Sequence, residues 1–147
     1  MALPRDFPIT AERCEEILRA LPDLKIGVLG DFHLDAYWHA DMRRARLSRE
    51  TPHFARPVFR ERYDPGVGGV ITANLRALGV GKVFALGACG DDWRGSILRE
   101  RLRDQGVELE GFLVVPGRIT PTYVKPIIHG YESMQEDPRL DFQDTRD

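Results

Sequence analysis

GVGGVITANLRALGVGKVFALGACGDDWRGSILRERLRDQGV, residues 66–107, is the stretch whose reading decides the fold. Gly66, Gly68 and Gly69 crowd backbone N–H groups at a helix start, where a ligand's oxygens can be bound. Ile71, Leu75 and Leu78, with Ala77 beside them, give that helix an apolar stripe, and Gly79 ends it. Lys82 to Leu86 is too short for a buried helix and rich in strand formers, so it reads as a covered strand. Asp91 or Asp92 then caps a helix whose Trp93, Ile97, Leu98 and Leu102 face inward, with Gly106 just past its end. Helix, strand and helix at this spacing predict a parallel α/β sheet.

Outward from that stretch, 147 residues suit one domain with a real core. An apolar content of 42% and a charged content of 30% are ordinary for a soluble chain. The net charge of -2 argues against a protein that coats nucleic acid. Cys14 and Cys89 make no disulfide framework and no metal-ligand pair, so a reducing, cytoplasmic location is expected. No apolar run reaches membrane-spanning length, and residues 1–10 lack the apolar core of a signal peptide.

Toward the N-terminus, Thr10 to Leu21 reads as a helix closed by Pro22, with Cys14, Ile17, Leu18 and Leu21 on one face. On that stripe Cys14 is expected to be a small buried hydrophobe, not a nucleophile. Lys25 to Gly30 reads as a second buried strand, ending in Asp31-Phe-His-Leu-Asp35. Polar groups at the end of a parallel strand are where open α/β sheets bind ligands. Two carboxylates four positions apart suit a metal, sugar hydroxyls or acid/base work. Equally, Asp31 can cap a turn and Asp35 can be solvated.

From Ala36 to Asp64 strand formers are interrupted by Pro52 and Pro57, which suits a flap or edge strands. Seven arginines fall here, at 43, 44, 46, 49, 56, 60 and 62. They suit either a phosphate-bearing ligand or a solvated, ion-paired surface. His33, His39 and His53 lack zinc-like spacing, so no metal site is expected. Beyond residue 107, Leu109–Val115 reads as another strand. Thr122–Tyr131 has strand composition, and Pro126 points it to an edge; Lys125 suits a ligand contact or, the reading the sequence favours, a solvent-facing strand residue.

GDFHLD at 30–35, the glycine turn and helix at 66–79, GACGDDWRG at 87–95, LRDQGVE at 102–108 and RLDFQD at 139–144 follow one another as in the ribokinase-like (PfkB) sugar kinases. The closest resemblance is to the heptose-phosphate kinase domain of bifunctional ADP-heptose synthases, from about Lys25 to Asp144. The resemblance implies the N-terminal part of a three-layer α/β/α fold with a small β lid. The core would be residues 10–35 and 66–117, and the lid 36–65 and 118–131. Asp35 matches the aspartate that binds sugar hydroxyls, and Gly66, Gly68 and Gly69 match the sugar-contacting turn, Val67 replacing its second glycine. The family asparagine at the helix start falls on Val70, while Asn74, one turn later, is retained.

The implied activity is transfer of the ATP γ-phosphate to a sugar or sugar-phosphate hydroxyl, with ATP and Mg2+ as cofactors. The implied partners are that sugar and a second copy joined through the lid, whose arginines would meet a sugar phosphate. The catalytic aspartate of the family sits in a GAGD motif of the C-terminal half. Gly87-Ala-Cys-Gly-Asp91 matches the N-terminal GDD turn instead, so the catalytic residue and the ATP site are expected outside this chain. A non-catalytic PfkB-like binding protein is the alternative, and a nucleic-acid binder is disfavoured for want of stacking aromatics among the basic residues.

Overall fold

The structure is a computed structural model that describes residues 9–144; the reading of a missing leader over residues 1–8 lies outside them. Helix α1 (Ala11–Ala20) is capped by Thr10, whose hydroxyl accepts from the Arg13 N–H, and runs into a single 3-10 turn at Leu21–Asp23. Three parallel strands follow the expected pattern in the order β1 (Lys25–Leu29), β6 (Lys82–Gly90), β7 (Phe112–Val115). Helices α2 (Gly66–Ala77) and α3 (Trp93–Asp104) flank them. This is part of a ribokinase-like α/β fold.

The second sheet holds β2 (Leu34–Asp41), β5 (Val58–Asp64), β8 (Thr122–His129), β9 (Met134–Glu136) and β10 (Leu140–Phe142). A small hairpin, β3 (Arg46–Leu47) and β4 (Phe54–Ala55), hangs from it. Its spine is the parallel pair β2–β8, with Asp35 opposite Tyr123 and Tyr37 opposite Lys125. β8 is therefore an interior strand, contrary to the edge that Pro126 suggests. The reason is local: on the side away from β2, β10 pairs with residues 122–124 and β9 with 127–129, so the ladder is interrupted at Pro126, which has no N–H to give. The lid also reaches Phe142, beyond the expected boundary at 131.

Alternation along β2 buries Leu34, Ala36 and Ala40 on one face and presents Asp35, Tyr37 and His39 on the other. Leu34 joins Phe32, Ala85, Cys89, Leu98, Leu102, Val107 and Phe112 in one apolar cluster that spans both sheets. α3 begins at the Asp92 cap, whose carboxylate accepts from the Gly95 N–H and from the Thr120 N–H and hydroxyl. One side chain thus starts α3 and ties it to the strand entering the lid. Burial pushes the Asp92 carboxyl up, but these bonds outweigh it and hold it below the usual range.

Several packing expectations are corrected. Cys14 is exposed, and Ile17 (41% exposed) and Leu18 (50%) are not covered, because among the described residues none of α1's side chains is buried. In α2 the buried face is made of Gly66, Gly68, Gly69 and Thr72, while Ile71 and Leu78 are exposed. The small residues are the ones inside because Phe32 and Pro65 already fill the space above the glycines. Trp93 is half exposed, its ring edge-on to Tyr63 at 6.2 Å. The third strand starts at Phe112, since Leu109–Gly111 form a turn.

Candidate sugar site at the strand ends

β1 ends at Leu29, and the chain crosses to the lid through Gly30-Asp31-Phe32-His33. Phe32 anchors this crossing, buried edge-on against Phe112 at 5.2 Å. The Leu34 N–H donates to the Pro121 carbonyl, which sets the register that brings β8 beside β2. Lys125 Nζ then donates to Asp35 Oδ1 at 2.9 Å and to the Tyr37 hydroxyl at 3.2 Å. Arg62 stacks over the other part of that shell, its guanidinium 4.0 Å from the Tyr37 ring centre.

The second oxygen of Asp35 faces His33 Nε2 at 3.9 Å, too far for a hydrogen bond. Both side chains remain reachable, at 15% and 19% exposure. A ligand hydroxyl between them could donate to the carboxylate and accept from the imidazole. The His33 ring also lies on Gly66, where a Cβ would overlap it, and against Tyr123 at 4.8 Å. Gly66 sits at φ 54, in the left-handed region, so both its backbone and its neighbour require glycine. The helix it opens has no side-chain cap, which leaves its first amides free for an acceptor.

Two cavities flank His33. One, about 380 Å³, lies between β1 and α2 and includes Leu29, Val67, Gly68 and Ile71 in its walls. The other, about 210 Å³, includes Asp31, Arg118, Tyr123 and Gln143. Arg139 closes over Tyr123 at 4.4 Å, its guanidinium held in two contacts by Asp141. Burial holds His33 below the usual imidazole range, more strongly than Asp35 raises it. Burial would lower Lys125 as well, but the bonds to Asp35 and Tyr37 outweigh it and hold the ammonium above its usual range.

Of the residues expected to bind substrate, Asp35 and Gly66 come together through His33, and Gly68 packs on Phe32 beside them. Gly69 approaches Pro65, so its role is to let the helix turn close on the preceding residue. Asn74 is not brought in: it is exposed, eight residues beyond Gly66 and so about 12 Å along the helix axis. Lys125, expected to face solvent, instead holds Asp35 from 90 residues away. The sequence did not join His33, Tyr123 and Arg139 to Asp35, because the β2–β8 and β8–β10 pairings are what bring Tyr123 beside Asp35 and β10 beside Tyr123.

The GACGD segment does not fit an ATP phosphate and its Mg2+. Asp91 accepts from the Gly117 N–H, Asp92 is committed to Gly95 and Thr120, and a Cβ on Gly90 would meet the Arg118 carbonyl. Among the described residues no group of three or more His, Cys, Asp or Glu side chains is placed to hold a metal ion. Of the seven arginines of residues 36–64, Arg62 lies beside the Asp35 shell, over Tyr37; four others do not. Arg43, Arg44, Arg46 and Arg56 gather around a cavity at the far end of β2.

No protein-family model matches the chain. It is 37% identical over 123 residues to the bifunctional protein HldE of Campylobacter jejuni subsp. doylei, covering 82% of this chain and 23% of that protein. It is 36% identical over 122 residues to the HldE of Nitrosococcus oceani, covering 82% of this chain and 24% of that one. The chain thus spans about a quarter of the length of the curated relatives it matches. Among solved structures, a putative sugar kinase from Clostridium perfringens matches 80% of this chain with 34% of its own (TM-score 0.56, 18% identity). Arabidopsis thaliana ribokinase complexed with ribose and ATP matches 80% with 35% of its own (TM-score 0.55, 21% identity).

Proposed function

Because the chain belongs to the ribokinase-like (PfkB) carbohydrate kinases, we propose that it is the sugar-binding N-terminal part of such a kinase. It would bind a sugar or sugar-phosphate whose hydroxyl receives the ATP γ-phosphate. The observation that carries this reading is the Asp35 carboxylate, fixed by Lys125 on one oxygen and open on the other, beside the Gly66 turn. A fixed carboxylate accepts from sugar hydroxyls, and bonds to a charged group are worth about 1.5–3 kcal/mol each. The first amides of α2 donate to the ligand's oxygens from the other side.

Phosphoryl transfer also needs a positioned base, an anion-stabilising helix start and a metal-bound nucleotide. Asp91 and Asp92 are committed elsewhere, so this chain alone should show no sugar-dependent ATP turnover. Turnover that disappears with Asp91→Ala would reverse that assignment. A second copy would dock through the lid face opposite Asp35. There Trp38, Ala40, Val58, Pro126, Ile128 and Leu140 contribute to an apolar cavity of about 460 Å³. The unpaired cysteines suit a cytoplasmic protein.

The test is titration calorimetry with ribose, fructose and their phosphates. Asp35→Ala should weaken the tightest of these at least tenfold, while Val70→Asn should leave it unchanged or tighten it. An Asp35→Ala variant that binds as the parent does would remove the basis of the assignment. The second reading, a non-catalytic PfkB-like binder, is favoured by Val70, which puts an apolar and half-exposed side chain at the helix start. Binding without turnover by the full-length gene product would decide for it.

A further inference from the structure

A cavity of about 670 Å³ lies in the second sheet and its hairpin and belongs to no part of the sugar site. Its walls come from the 3-10 turn after β2, from the β3–β4 hairpin and from the start of β5, and they carry Arg43, Arg44, Arg46 and Arg56. Phe59 forms part of its floor, packed edge-on to His129 at 5.1 Å. Asp41 is the sole carboxylate in the walls, and both its oxygens are already taken by Arg43, whose backbone N–H, Nε and Nη2 all donate to it. Arg56 is held by Asp137 from the far side. Arg44 and Arg46 form no ion pair among the described residues, and both are exposed.

Two guanidinium groups locked in place and two unpaired ones thus converge on one concavity. Planar guanidinium forks match the oxygens of phosphate in pairs, and several around one hollow favour a ligand with more than one negative charge. We propose that this cavity is an anion-binding site for a phosphate-bearing small molecule, a phosphomonoester or a pyrophosphate, separate from the sugar site. The separation follows from β2 itself. Asp35 and Asp41 stand at opposite ends of the strand, six residues and about 20 Å apart, which is longer than a sugar phosphate. The occupant is therefore a second molecule. A local hollow bounded by three elements and open to solvent, in a chain of net charge -2, fits a small anion better than a nucleic-acid strand, which needs an extended basic track.

The experiment is calorimetry on the whole 147-residue chain at low ionic strength, with pyrophosphate, inorganic phosphate and acetate as probes. Pyrophosphate should bind saturably at one site per chain, more tightly than phosphate, and acetate should not bind. The double variant Arg44→Gln/Arg46→Gln should weaken pyrophosphate at least tenfold with an unchanged thermal melt, since neither side chain forms an ion pair among the described residues. Asp35→Ala should leave pyrophosphate binding as it is. The site is overturned by a parent chain that does not bind pyrophosphate, or by a double variant that binds it equally well. An Asp35→Ala variant that loses it too would merge the cavity with the sugar site. A single-stranded oligonucleotide that binds more tightly than pyrophosphate, and through the same two arginines, would make the patch a nucleic-acid surface and also overturn the proposal.

Discussion

β2 in the lid lies between β5 and β8 and buries Leu34, Ala36 and Ala40 on its inner face. Among the described residues β1 in the parallel sheet pairs with β6 alone, and Leu29, at its end, is 82% exposed. The apolar KIGVL is therefore covered only in part, at Ile26 and Val28, while the arginine-bearing second sheet, with its prolines, has a covered face. Burial is a property of neighbours as much as of residues. The parallel sheet packs against α2 and α3, and the second sheet contributes to the same cluster through Leu34, next to Phe32 of the crossing. The two sheets share their most buried layer and differ in their outer ones.

That sharing sets the largest expected effect. Leu98 is fully buried on α3, which touches β2, β5 and β6. Leu98→Ala should cost about 2–5 kcal/mol, the range for truncating a packed core leucine. It should destabilise both sheets in one transition, seen as coincident denaturation curves from far-UV dichroism and from Trp38 fluorescence, read in a Trp93→Phe background. Two separate transitions would break the single-core description. Next in size is Gly66→Ala, which forces a Cβ into the His33 ring at φ 54. Backbone strain of this kind costs about 1–3 kcal/mol. The variant should also lose sugar affinity, because His33 must move away from Asp35. An unaffected melt would mean that the turn is looser than its geometry implies.

The parallel half was legible from sequence because its signals are local. Strand, glycine stop, Asp92 cap and Gly106 terminator all act within a few residues, and α3 begins and ends where they place it. The lid was legible as extended chain and no further, because pairing β2 with β8 joins residues some 90 positions apart. Lys125 illustrates the limit. In TYVKPIIHGY it is a lysine on a strand, and its bond to Asp35 exists through the parallel register alone. For α1 the failure ran the other way. Helical periodicity reports which face is apolar and is silent on whether anything packs there.

A smaller effect distinguishes the junction from the rest by pH. His33 is held below its ordinary value by burial, against the pull of Asp35 and Asp31 and with Lys125 and Arg139 opposing its charge. The folded chain thus binds fewer protons there than the unfolded one. This contribution to stability is fully present above the unfolded value of about 6.5 and is lost as pH falls toward the lower folded one. His39 shifts in the same direction, through burial and then Arg60 and His129. Parent stability should therefore decline from pH 7 to pH 5, and His33→Gln should decline less steeply, with His39 supplying what slope remains. Equal slopes in denaturant titrations across that range would show that His33 is solvated in the folded state.

The smallest expected effect is the sharpest test of the contrast between helices. α3 and α1 both carry apolar residues at helical spacing, but Leu98 and Leu102 are fully buried whereas Ile17 and Leu18 are open to water. Truncating a buried residue removes transfer energy and leaves a cavity; replacing an exposed one does neither. Ile17→Ser and Leu18→Ser should each change stability by less than about 0.5 kcal/mol, apart from the slight loss of helix propensity that serine brings. Their solubility should rise, since an uncovered apolar stripe favours association. Thermal melts at two protein concentrations separate the possibilities. If the parent's midpoint climbs with concentration and that of the serine variants does not, the stripe is covered by a second copy in solution. If the serine variants melt lower at every concentration, α1 packs on its own chain, and the contrast drawn between the two helices fails.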